Sequence, residues 1–215
     1  MLTSVSVFSV FWGSQWNQAP LVTLMQTMNS FFDYIVTSAL LDQLAEYSVQ
    51  GLAIGRGTHV GSTVVATPAP PSASVSDAAI QQLLNDQISS NGAFVKPTPN
   101  TLYALFLPPN VAVTQGGASS CQGFCGYHDS FGTDRYYAVL PYLGCAGCSS
   151  GYSIEDATTI VASHELSEAI TDPIPGKGWY DDQNGEIGDI CAWQTKKLGS
   201  FTIQLEWSNK AGKCL

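Results

Sequence analysis

The ten residues from His164 to Pro173 read HELSEAITDP and gather the side chains best suited to chemistry in this sequence. On an α-helix, residues four apart share a face, so His164 and Glu168 project together while Glu165 sits on their flank. An imidazole and a carboxylate placed this way are two ligands for Zn²⁺. A second carboxylate beside them is suited to take a proton from an attacking water. A bland alternative competes, in which the three residues are polar groups on a solvated stripe, a common outcome for short motifs.

The spacing matches an HExxH zinc helix with Glu168 in place of the second His. A catalytic zinc usually has three protein ligands, so one must come from elsewhere. The candidates are His128, in a cysteine-tethered stretch, and the carboxylates Asp172, Glu186 and Asp189, with His128 preferred because a ligand must be held rigidly. His59 falls between glycines, at what reads as a polar hairpin tip, and is expected to be merely exposed. Asp181, Asp182, Asn184, Glu186 and Asp189 form an oxygen-rich loop that suits either Ca²⁺ or, without EF-hand spacing, a solvated acidic turn around Gly185.

A helix must carry these groups, and its ends are marked. Ser153 with Asp156 three positions later resembles a capping box, Glu155 and Asp156 place negative charge at the N-terminus, and Pro173 stops the helix. Ile160, Val161, Ala162, Leu166, Ala169 and Ile170 cover most of its circumference, which predicts a buried helix.

The rest of the chain alternates between the two periods. Met1 to Trp12 reads as a strand rather than a signal segment, and Leu21 to about Ser48 as one long or kinked helix behind Pro20. Leu52 to Thr67 reads as two short strands broken at Gly55, Gly57 and Gly61, followed by a Pro-rich loop. A helix over Asp77–Ser90, strands over Thr101–Leu107 and Tyr136–Tyr142, and a last strand over Phe201–Trp207 complete the series.

With 215 residues, one domain is expected, with a sheet-and-helix part over about 1–110 and a Cys-rich part with the active-site helix over about 111–215. A net charge of −9 argues against nucleic acid or an anionic membrane as partner, and no apolar run is long enough to span a bilayer. Six cysteines, an even number, point to an oxidising, extracytoplasmic compartment. The order of elements resembles the α/β (α+β) zincin plan, a mixed sheet behind the active-site helix.

A closer likeness lies in SSCQGFCGYHDSFG (Ser119–Gly132), YYAVLPY (Tyr136–Tyr142), the HELSEAITDP helix and GEIGDIC ending at Cys191, which together resemble the Exordium or phosphate-induced family of secreted proteins. The likeness covers the C-terminal half, with looser agreement through FWGS and the GRG segment. It implies secretion and fold more than reaction, since plant members are linked to cell-wall growth without a settled activity. In this light the cysteines are expected to pair as Cys121–Cys125, Cys145–Cys148 and Cys191–Cys214, the last contributing roughly 3 kcal/mol by loop closure. The rival is a Cys₄ zinc site from the first four.

The expectation is a secreted, monomeric zinc hydrolase acting on peptides or proteins, with metal ligands His164, Glu168 and His128 and general base Glu165. The alternative is a non-catalytic extracellular wall or interaction protein on the same scaffold.

Overall fold

The computed structural model describes residues 1–215. Strand β1 (Ser6–Trp12) is followed by helices α1 (Leu21–Ile35) and α2 (Ala39–Leu44), strands β2 (Thr58–Val65) and β3 (Ser74–Ser76), helix α3 (Asp77–Ser90) and strand β4 (Thr101–Phe106). Then come β5 (Ala112–Gln115), β6 (Ala118–Ser119), β7 (Tyr127–Phe131), β8 (Arg135–Leu140), the short α4 (Ala146–Ser149), and α5 (Ile154–Thr171), which carries the HELSE residues. Two hairpins, β9 (Thr195–Leu198) with β10 (Phe201–Gln204) and β11 (Trp207–Ser208) with β12 (Lys213–Cys214), close the chain.

The central sheet has the order β2-β1-β4-β8-β7. Its first four strands are parallel and β7 runs antiparallel to β8 at the edge. The expected mixed α/β sheet is therefore present. Strands alternate between two cores, as a period of two requires when helices cover both faces. Val7, Phe11, Leu102, Ala104, Phe106, Ala138 and Leu140 face the core shared with α1, α2 and α5. Phe8, Val10, Tyr103, Leu105, Tyr137 and Val139 face the core under α3.

Two expectations need correction. The long helix is broken at Thr37 and Ser38, because Ser38 turns extended and its Oγ accepts from the Leu40 N–H at 3.2 Å, capping a second helix. Leu52–Thr67 contains one strand, Thr58–Val65, rather than two. The register against β1 slips between Val7 and Phe8, so Gly61, at φ 127°, absorbs a bulge inside the strand instead of ending it. His59 thus lies within β2, against Ser9 Oγ at 3.2 Å and Asp33 at 2.7 Å, and its side chain is only 5% exposed.

The cysteine pairing is also different. The bridges are Cys121–Cys145, Cys125–Cys148 and Cys191–Cys214, which excludes both local pairs and the Cys₄ zinc site. Cys145 caps α4 and Cys148 lies one turn on, so both thiols face the 121–125 loop and each finds a partner across the gap. Three such bridges fit an oxidising, extracytoplasmic setting, and no helix is long and apolar enough to cross a membrane.

Candidate metal centre

Helix α5 begins where its sequence says it should. Ser153 Oγ accepts from the Asp156 N–H at 3.1 Å, with Glu155 and Asp156 in the first turn. The helix is buried on nearly all sides between the sheet and the β9–β10 hairpin, so its polar groups must find partners inside the protein. His164 and Glu168 meet as the spacing predicts, with Nε2 3.1 Å from Glu168 Oε2.

Edge strand β7 brings His128 to the same place. Tyr127 points into the α3-side core and the next residue, His128, therefore points to the α5 side, where its side chain is 3% exposed. His128 Nε2 donates to the main-chain carbonyl of Asp172 at 3.0 Å. A carbonyl can only accept, so the proton of the neutral ring sits on Nε2 and the Nδ1 lone pair faces inward. There Nδ1 lies 3.6 Å from Glu165 Oε2 and 3.6 Å from Glu168 Oε2. Such a separation is long for a hydrogen bond but close to the spacing of two ligands on one zinc, about 3.4 Å for bonds of roughly 2.1 Å at the tetrahedral angle.

Glu168 is the shared member of two overlapping ligand groups, His128–Glu165–Glu168 and His164–Glu168–Asp189. Two glycines allow the chain to close on them. A Cβ at Gly126, at the start of β7, would lie 2.7 Å from Glu165 Oε1, and one at Gly188 would lie 2.6 Å from His164 Nδ1 and 2.9 Å from Glu168 Oε1. The backbone at both positions passes where no side chain fits.

The other carboxylates divide. Asp172 is removed from the ligand set: both its oxygens accept main-chain N–H groups, from Gly176 at 2.6 Å and Lys177 at 3.1 Å among others, so it stabilises the turn that ends α5. Asp189 stands 3.9 Å from His164 Nε2 while its own N–H donates to Glu168 Oε1 at 3.2 Å. Glu186 lies 3.6 Å from His128 Nε2, and its Oε1 is buried without a hydrogen-bond partner. In the oxygen-rich loop, Asp181 Oδ1 accepts from the N–H groups of Gln183 and Asn184, the geometry of an acidic turn.

Two further residues escape the sequence reading. Gln204, the last residue of β10, accepts from the Trp193 N–H at 3.1 Å and donates to the Gly188 carbonyl at 2.9 Å, which orients its amide. Its Nε2 then lies 2.7 Å from His164 Nδ1, which accepts from it, so the proton of the neutral His164 ring sits on Nε2, toward Glu168 Oε2. Glu206 is fully buried, with neither carboxylate oxygen hydrogen-bonded. Gln204 ends the β9–β10 hairpin and Glu206 lies two residues beyond it, and their sequence distance from α5 hides the contact.

The charges of the cluster depend on one another. Burial by itself would lower both histidines, but Glu165, Glu168 and Glu186 outweigh it at His128, which is pushed up to about 9. Glu168 and Glu165 do the same at His164, which is held well above its usual range. Burial raises Glu165, whereas at Glu168 burial is outweighed by His164 and His128 and the carboxyl falls below its usual value. Imidazoles and carboxyls this close hold their protons through one another, and a metal ion binding here would displace protons from them.

The donor set, two imidazoles and carboxylates with buried unpartnered oxygen nearby, fits Zn²⁺. No protein-family model matches the chain, and no curated protein is significantly similar to it, so the chemistry of this cluster carries the functional reading.

Proposed function

We propose that the protein is a secreted zinc-dependent hydrolase of peptides or proteins, with His164, Glu168 and His128 as metal ligands and Glu165 as general base. The single observation behind this reading is the direction of the His128 lone pair. Its Nε2 proton is committed to the Asp172 carbonyl, and Nδ1 faces the same Glu168 oxygen that His164 approaches. Zn²⁺, when bound, supplies Lewis acidity that polarises a carbonyl and makes water acidic near neutral pH.

The chain's own residues do the remaining work. Glu165 has no hydrogen-bond partner at its carboxylate and opens onto the cavities beside His164, so its Oε2 is free to take a proton from water and pass it to the leaving amine. Burial favours the protonated form of that carboxyl and so strengthens it as a proton acceptor in the first half of the transfer. The Asp172 carbonyl orients the His128 imidazole with Nδ1 inward, as a supporting group must for a ligand, and a metal on His164 Nε2 would need the Gln204 amide to turn so that its oxygen accepts from Nδ1–H. β7 ends the sheet and has no partner strand on its outer side there, which suits an extended peptide laid beside His128. The similarity to Exordium-like proteins belongs to the same proposal and rests on the segments quoted above.

The test is elemental analysis of protein purified without added zinc, beside hydrolysis of a casein or peptide-library substrate. About one zinc per chain, lost on His164→Ala while circular dichroism is unchanged, supports the reading. A chain that retains zinc in that variant, or cuts nothing when loaded, refutes it.

A further inference from the structure

Two cavities meet at the cluster, and their walls differ in chemistry. Gly126, His164, Glu165 and Asp189 line both. The first, about 370 Å³, is bounded by Phe124, Ile160, Val161, Trp193 and the Cys125–Cys148 bridge, with Gln122 and Gln204 among its polar lining. The second, about 310 Å³, runs the other way, past Gln115, Asp129, Glu168 and Glu186. Both volumes fall in the usual range of ligand pockets, roughly 300–1,000 Å³.

No Lys or Arg lines either cavity, in a chain whose net charge is −9. A divalent cation balanced by Glu168 and Glu165 would leave Asp129 and Glu186 on the second wall, and Asp189 between the two cavities, without a counter-cation. The side chain of Glu165 is 5% exposed, makes no hydrogen bond and opens to both cavities, so it marks the boundary between them. Glu186 Oε1 is likewise buried and without a hydrogen-bond partner. Unpaired buried carboxylate oxygen facing a cavity is costly unless a ligand donor completes it.

We infer that the substrate is a peptide with a bulky apolar side chain on one side of the reacting amide and a Lys or Arg on the other. The apolar group fills the disulfide-walled cavity, where burial of its carbon surface drives binding. The cationic group enters the acidic cavity, where the absence of competing Lys or Arg makes it the complementary partner and an acidic side chain the repelled one. This inference rests on the proposed peptide-hydrolysing site but concerns which peptide is held, a property readable without turnover.

The experiment is fluorescence anisotropy of zinc-loaded full-length protein with end-blocked peptides containing Phe-Arg, Arg-Phe, Phe-Glu or Gly-Arg at the centre. The better of the two Phe/Arg orders should bind at least ~10-fold more tightly than Phe-Glu and Gly-Arg. Asp129→Asn should reduce the preference for Arg over Glu several-fold and leave the preference for Phe over Gly. Ala192→Phe, a substitution at the exposed rim of the first cavity, should do the reverse. Equal affinities for all four peptides, or preferences untouched by both variants, overturn the inference. Cleavage is scored separately: selective binding with no cleavage by the parent protein removes the hydrolase reading and keeps the two pockets, whereas cleavage without selectivity does the opposite.

Discussion

His128 and Asp172 are joined by a hydrogen bond of 3.0 Å from the imidazole Nε2 to the main-chain carbonyl. It links the edge strand to the end of the HELSE helix, and it fixes which nitrogen of His128 faces the carboxylates. The carbonyl is available because α5 stops at Asp172, whose side chain is occupied with the following turn. One helix terminus therefore positions a residue 44 positions away.

Glu165→Gln keeps the shape of the side chain and removes its proton acceptor. Hydrolysis of a peptide substrate should fall by at least ~10²-fold with zinc content unchanged. Activity within a few-fold of the parent's would remove Glu165 from the base role.

Gly188→Ala places a methyl group against His164 Nδ1 and Glu168 Oε1. Because main chain and buried side chains must move to admit it, zinc affinity should drop by roughly 10–100-fold, the range seen when supporting groups are lost. Chelator competition reads this directly, and parent-like affinity would mean that the loop does not press on the ligands.

Much of the scaffold was legible in the sequence. The cap at Ser153 and the apolar circumference of α5 were readable because capping and burial are local patterns, and the same holds for α3 and β4. The Gly61 bulge was not, since a glycine that bends a strand looks the same in sequence as one that ends it. Cysteine pairing failed for a similar reason: Cys145 and Cys148 share a helical face, but only the fold reveals that the 121–125 loop lies opposite. Of the site, the helix residues were readable from spacing alone. Gln204 and Glu206 arrive from a segment distant in sequence and leave no local periodicity.

Glu206 predicts a pH dependence of stability. Burial, only partly offset by His164, holds its carboxyl well above the usual value. The folded chain therefore binds a proton that the unfolded chain releases above its ordinary carboxyl pKa, and stability falls as pH rises from that value toward the folded one. Glu206→Gln removes the effect. In metal-free protein the melting temperature at pH 7 should rise by roughly 2–4 °C, for about 1 kcal/mol, with little change near pH 4. A parent-like curve at both pH values would show that the buried carboxyl carries no such cost.

The bridges make a third kind of expectation. Non-reducing peptide mapping should recover Cys121–Cys145, Cys125–Cys148 and Cys191–Cys214, with an intact mass six hydrogens below the reduced chain. The sequence separations are 24, 23 and 23, so each bridge contributes roughly 3 kcal/mol by loop closure. Recovery of the Cys121–Cys125 pair would contradict the frame drawn for the apolar cavity.

The most direct test of the metal centre is a zinc titration, against a competing chelator, of the parent protein, His128→Ala and Asp189→Ala. His128 presents a buried Nδ1 to Glu168 at 3.6 Å, whereas Asp189 is half-exposed and stands 3.9 Å from His164. Loss of affinity by orders of magnitude in His128→Ala, with a smaller change in Asp189→Ala, is the predicted result. Undiminished zinc binding in His128→Ala would contradict it.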